Sequence, residues 1–66
     1  MPEEWLRVLG FLEKYPAMHF KARKISHELD MPPQKVSKIL LYLHRNGYLE
    51  RIERETKRHP LYRMKN

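Results

Sequence analysis

Residues 25–51 read ISHELDMPPQKVSKILLYLHRNGYLER, and this stretch decides the fold. Ile25 and Leu29 stand at helical spacing ahead of a break, Asp30-Met31-Pro32-Pro33, where proline ends one helix and suits the first turn of the next. Val36, Ile39, Leu40 and Leu43 then recur at i, i+3, i+4 and i+7, the spacing of a helix buried along one stripe. Asn46-Gly47 closes that helix with a residue at ease in the left-handed conformation. From Tyr48 the chain is rich in strand formers. The order is therefore helix, tight turn, helix, strand.

Upstream, a first helix is expected over residues 2–14. Pro2 fits its first turn, Glu3 and Glu4 lie at the positive end of its dipole, and Trp5, Val8, Leu9 and Leu12 form its apolar stripe. Tyr15-Pro16 ends it, because a residue before proline avoids the helical region. Leu6, Gly10 and Phe11 fall off that stripe and either widen the core face or form a self-association surface. Residues 18–20 are a short extended connector that could add a third strand at a sheet edge. Helix 2 is expected over 21–29, burying Ala22, Ile25 and Leu29, with the small Ser26 allowing close helix approach. Helix 3 is expected over 33–46 and a hairpin over 48–64, in which Tyr62 and Met64 share one face and return to the core. This is a mainly α fold with a small β-hairpin, and residues 1–66 read as one domain without repeats or linkers.

A chain of 66 residues has no volume for both a core and a buried substrate cavity, which argues against an enzyme and against a large effector pocket. It has no cysteine, so disulfides, thiolate zinc sites and cysteine nucleophiles are excluded together. The acidic start, Met1-Pro2-Glu3-Glu4, is neither a signal peptide nor a membrane span, and the cytoplasm is the expected location. The net charge of +6 is divided unevenly: residues 1–20 carry −1 and residues 21–66 carry +7. Such asymmetry points to a polyanion-facing side built by the later elements; the plainer alternative is a solvated, charge-rich surface.

On a wheel of about 100° per residue, Gln34, Lys38, Leu41 and Arg45 point away from the core stripe of helix 3, with Lys35 and Tyr42 on one flank and Ser37 on the other. A DNA major groove would meet this stripe. Gln34 suits adenine, Lys35 and Lys38 suit guanine or phosphate, and Leu41 suits a thymine methyl. Ser37 and Tyr42 offer hydroxyls to phosphate, and Arg45, roughly 16 Å along the axis from Gln34, is placed as a phosphate clamp. Around the hairpin tip, Arg54, Lys57, Arg58 and His59 are candidates to follow a phosphate strand or enter the minor groove, although they could equally blunt an edge strand. The histidines His19, His27, His44 and His59 lack metal-ligand spacing, and no Gly-rich phosphate loop, nucleophile elbow or HExxH occurs, so neither metal nor cofactor is expected.

The pattern Phe20-x-Ala22-x-x-Ile25-Ser26-x-x-Leu29, Met31-Pro32, Val36-Ser37-x-x-Leu40-x-x-Leu43 and Gly47-Tyr48-Leu49-Glu50-Arg51 resembles the winged helix-turn-helix superfamily, in particular small prokaryotic regulators of the MarR and ArsR kind. It covers residues 20–51 closely. The resemblance implies a three-helix core with a two-stranded wing, helix 3 in the major groove, and the wing on the flanking backbone or minor groove. It places recognition-helix contacts on Gln34, Lys35, Ser37, Lys38 and Tyr42, and wing contacts on residues 54–59. Such regulators generally carry further helices for dimerisation and sensing; none follows the wing here, so no small-molecule effector is expected, and a homodimer would use helix 1 (Leu6, Gly10, Phe11) or the wing. Sequence-specific binding of double-stranded DNA by a small transcription regulator is the expected function. Two other classes compete: a protein-binding winged helix anchored by Leu41 and Phe11, and an RNA binder that stacks bases on Tyr42, Tyr48 or Tyr62.

Overall fold

Pro2, at φ −59° and ψ 147°, stands just outside the first helix and caps it by position, so α1 runs Glu3–Lys14, one residue shorter than the spacing suggests. The computed structural model describes residues 1–53 and 59–65. α2 spans Ala22–Leu29 and α3 spans Pro33–Arg45, each again trimmed by a residue. Lys21 is still extended at ψ 153°, and Asn46 has left the helical region at φ −89° and ψ 6°. β1 (Leu49–Ile52) and β2 (Leu61–Met64) form an antiparallel pair with the register Leu49↔Met64, Glu50↔Arg63, Arg51↔Tyr62 and Ile52↔Leu61. The strands are shorter than the composition of 48–64 implies.

The third strand contracts to a single bridge. Phe20 donates its N–H to the Tyr62 carbonyl at 2.9 Å and accepts from Tyr62 N–H at 2.8 Å. Pairing stops there because the Met18 N–H turns back to the Tyr15 carbonyl and Lys21 already leads into α2. That bridge ties the connector to the hairpin and fixes where α2 begins.

Both turns flanking α3 are closed by left-handed residues. Asp30 adopts φ 53°, and the Ser26 carbonyl accepts from both Asp30 and Met31 N–H. Gly47 adopts φ 85°, with Gly47 N–H on the His44 carbonyl and Tyr48 N–H on that of Leu43, a complete Schellman arrangement. Met31, read from sequence only as a turn residue, is buried: the residue after a left-handed cap folds back on the helix it follows.

Three helices and the hairpin share one core. α1 contributes Val8, Leu9 and Leu12, α2 contributes Ile25, and α3 contributes Val36, Ile39, Leu40 and Leu43, with Phe20, Met31, Leu49 and Tyr62 closing the ends. Ser26 is also buried, as a helix-contact residue of small volume should be. Trp5, Ala22, Leu29 and Met64 are only partly buried at its margin. Phe11 packs there as well, its ring 4.9 Å from that of Phe20 and 5.3 Å from that of Tyr15, so it widens the core rather than joining Leu6 and Gly10 on the open face of α1. Among the described residues, no helix is long and apolar enough to cross a membrane.

Candidate nucleic-acid interface

The core stripe of α3 fixes what its other faces can do. With Val36, Ile39, Leu40 and Leu43 inward, Gln34, Ser37, Lys38 and Arg45 are exposed together along the outer face. Two residues assigned to the same surface are engaged elsewhere. Lys35 Nζ lies 2.6 Å from Glu4 Oε2 on α1, and the Tyr42 ring stacks on Trp5 at 5.2 Å with 18° between planes. The flank carrying Lys35 and Tyr42 therefore faces the start of α1.

The opposite flank opens into a cleft of about 610 Å³ between α3, the start of α2 and the hairpin. Pro33, Ser37 and Leu41 form one wall, Lys21, Ala22 and Arg23 a second, and Arg51, His59, Pro60 and Tyr62 the third. Leu41 is a correction to the sequence reading: it is half-buried in this wall instead of standing free on the outer face. His59 is exposed at the rim, whereas the wing candidates Arg54, Lys57 and Arg58 lie outside the described residues.

Lys21, Arg23 and Arg51 were not among the sequence candidates, and each had a signal. Period-two alternation from the buried Leu49 puts Arg51 on the inner face of the hairpin opposite Tyr62, where a charged residue needs a reason. Lys21 and Arg23 stand at the start of a helix whose first turn has no acidic residue. Cations there oppose the helix dipole, a cost that an incoming anion would reverse. Among the described residues, Lys21, Arg23, Lys38 and Arg45 pair with no carboxylate, while Lys24 pairs with Glu28, Arg63 with Glu50, and Arg51 weakly with Glu53 at 3.6 Å. The cleft and the outer face of α3 thus form one cationic surface interrupted by few counter-charges.

Burial pushes the Tyr62 phenol above its ordinary value; Arg51 opposes this and Glu53 adds to it. Tyr62 is thus a neutral hydroxyl in the cleft. His44 has a structural part: its Nδ1–H donates to the Leu49 carbonyl at 3.1 Å, joining α3 to β1. No group of His, Asp or Glu side chains suited to a metal ion occurs among the described residues.

No protein-family model and no curated protein matches the chain. Solved structures do. A protein of Methanosarcina mazei Go1, described as a possible transcriptional regulator, superposes with a TM-score of 0.91 at 16% identity, over 100% of this chain and 57% of that one. A mutant MepR of S. aureus bound to an oligodeoxyribonucleotide gives 0.84 at 19% identity, over 100% and 49%. The PcaV transcriptional regulator of Streptomyces coelicolor, in complex with its natural ligand, gives 0.80 at 18% identity, over 100% and 46%. The chain spans about half the length of these proteins. At such identities the likeness is one of architecture, and this chain has the winged helix-turn-helix fold of these structures.

Proposed function

We propose that this protein binds double-stranded DNA with sequence preference, as a transcription regulator that reads DNA through its winged helix. The observation that carries the reading is the exposed row Gln34, Ser37, Lys38 and Arg45 beside a cleft rimmed by Lys21, Arg23 and Arg51. An α-helix fits the major groove, where Gln34 and Lys38 near its start would meet base edges. The cleft would take the flanking phosphates, and Arg45 would clamp them at the far end of α3. The oligodeoxyribonucleotide bound by the MepR mutant supports a DNA ligand for the same architecture.

The alternatives have less support. A protein-binding surface was to rest on Leu41 and Phe11, and both are half-buried in the fold. RNA stacking was to use Tyr42, Tyr48 or Tyr62; Tyr42 is stacked on Trp5 and Tyr62 is buried, so only Tyr48 offers an unengaged ring. A homodimer on DNA, which half-site reading favours, would use the exposed Leu6 and Gly10 of α1 without Phe11.

Selection from a randomised duplex library tests sequence preference directly. The expected outcome is a short consensus for the native protein that becomes degenerate at one or two positions in Gln34→Ala and Lys38→Ala. Recovery of no consensus from a protein that binds the library would reduce the proposal to backbone binding alone.

A further inference from the structure

The first turn of α1 touches the recognition helix twice. Glu4 Oε2 sits 2.6 Å from Lys35 Nζ, and the neighbouring Trp5 stacks on Tyr42, two turns further along the same flank. The ion pair is open to water, with side-chain exposures of 50% for Lys35 and 44% for Glu4, so it exchanges readily and is no buried lock. Lys35 would otherwise add to the cationic face formed by Lys38 and Arg45.

We infer that Glu4 is an internal competitor for the nucleic acid: its carboxylate holds Lys35 in the free protein and yields it to a phosphate on binding. This rests on the DNA reading above. A carboxylate and a phosphate oxygen are alternative acceptors for the same ammonium, so the exchange replaces one charge-assisted hydrogen bond with another. Two consequences follow. Lys35 is already neutralised, so its engagement releases less counterion than a free lysine would, and the displaced Glu4 then faces phosphates within a Debye length of about 10 Å. The Trp5–Tyr42 stack keeps the carboxylate within reach by docking α1 on α3. Glu4 thereby trims the sequence-independent part of the affinity and leaves base reading by Gln34 and Lys38 to discriminate among sites. Glu4 is a positioning residue that acts through Lys35.

The test compares Glu4→Gln with Glu3→Gln by anisotropy of a labelled DNA duplex across a salt series. Glu3 is exposed, adjacent in sequence, and has no cationic partner among the described residues, so the two variants lose the same charge but only one frees Lys35. Glu4→Gln should bind up to about eightfold tighter near 0.1 M salt, with a salt slope steeper by about 0.9, and Glu3→Gln should move neither by as much as half. In a Lys35→Met background, Glu4→Gln should lose its effect on the slope. Trp5 is the sole tryptophan, and its emission reports that the α1–α3 seam is intact in each variant. Equal shifts in the two glutamine variants, or none in Glu4→Gln while the native protein binds, would overturn this inference and leave the DNA reading standing. Absence of duplex binding by every form at the lowest salt would overturn both.

Discussion

Arg51 and Lys38 reach the proposed DNA surface by different routes. Lys38 is exposed because the stripe of α3 leaves it no alternative, and the helical period alone identifies it. Arg51 is a half-buried cation on the inner face of the hairpin, aimed into the cleft because Leu49 and Tyr62 fix the register. Arg51→Met should weaken duplex binding about eightfold near 0.1 M salt and flatten the salt slope by about 0.9, whereas Lys38→Ala should weaken preferred sites more than others, both with unchanged circular dichroism. A variant that lost affinity with no change in slope would not be a phosphate contact. Tyr62 makes a separate prediction. The folded state keeps the phenolic proton where the unfolded chain has lost it, so this contribution to stability is complete below about pH 10 and drains away as pH rises through the raised folded value. Urea midpoints measured between about pH 8 and 11 should fall above about 10 in the native protein and fall less in Tyr62→Phe.

The caps govern what the elements can tolerate. Asp30 and Gly47 both occupy the left-handed region, but only one is glycine. Asp30→Gly should stabilise the fold by about 0.5 kcal/mol, since aspartate tolerates this conformation better than most residues but still at a cost. Gly47→Ala should cost about 1 kcal/mol; a Cβ there meets nothing within 4 Å, so the penalty is conformational rather than steric. Denaturant midpoints at constant slope would check both. This scale also shows what sequence can reveal. Pro33 and Asn46-Gly47 punctuate α3, and its apolar period has one solution, so that helix was legible to within a residue. The burial of Met31 was not, because it depends on a left-handed Asp30 that the residue type permits but does not require. Nor was the engagement of Lys35 and Tyr42, since a helical wheel gives the direction of a flank and not what packs against it.

At the scale of the molecule, size and charge set the limits. The described residues extend 32 × 26 × 20 Å, so one copy covers no more than about one turn of duplex, ~34 Å. A 66-residue fold has on the order of 3–10 kcal/mol of stability in hand. Leu40 is fully buried, and Leu40→Ala should cost about 2–5 kcal/mol and lower the melting temperature by roughly 10–30 °C. The charge asymmetry read from sequence takes physical form in α1, which presents Glu3, Glu4 and Glu13 among its exposed or half-exposed residues, against the cationic cleft and the outer face of α3. Lys21, Arg23, Lys38, Arg45 and Arg51 stand on that second surface. The most direct measurement is anisotropy of a labelled mixed-sequence DNA duplex across a salt series, with duplex RNA as competitor. Engagement of those cations predicts micromolar-range binding, poorly competed by RNA, with a slope of log affinity against log salt of about −4 to −5. No binding at low salt, or binding with a slope near zero, would contradict a phosphate-facing surface.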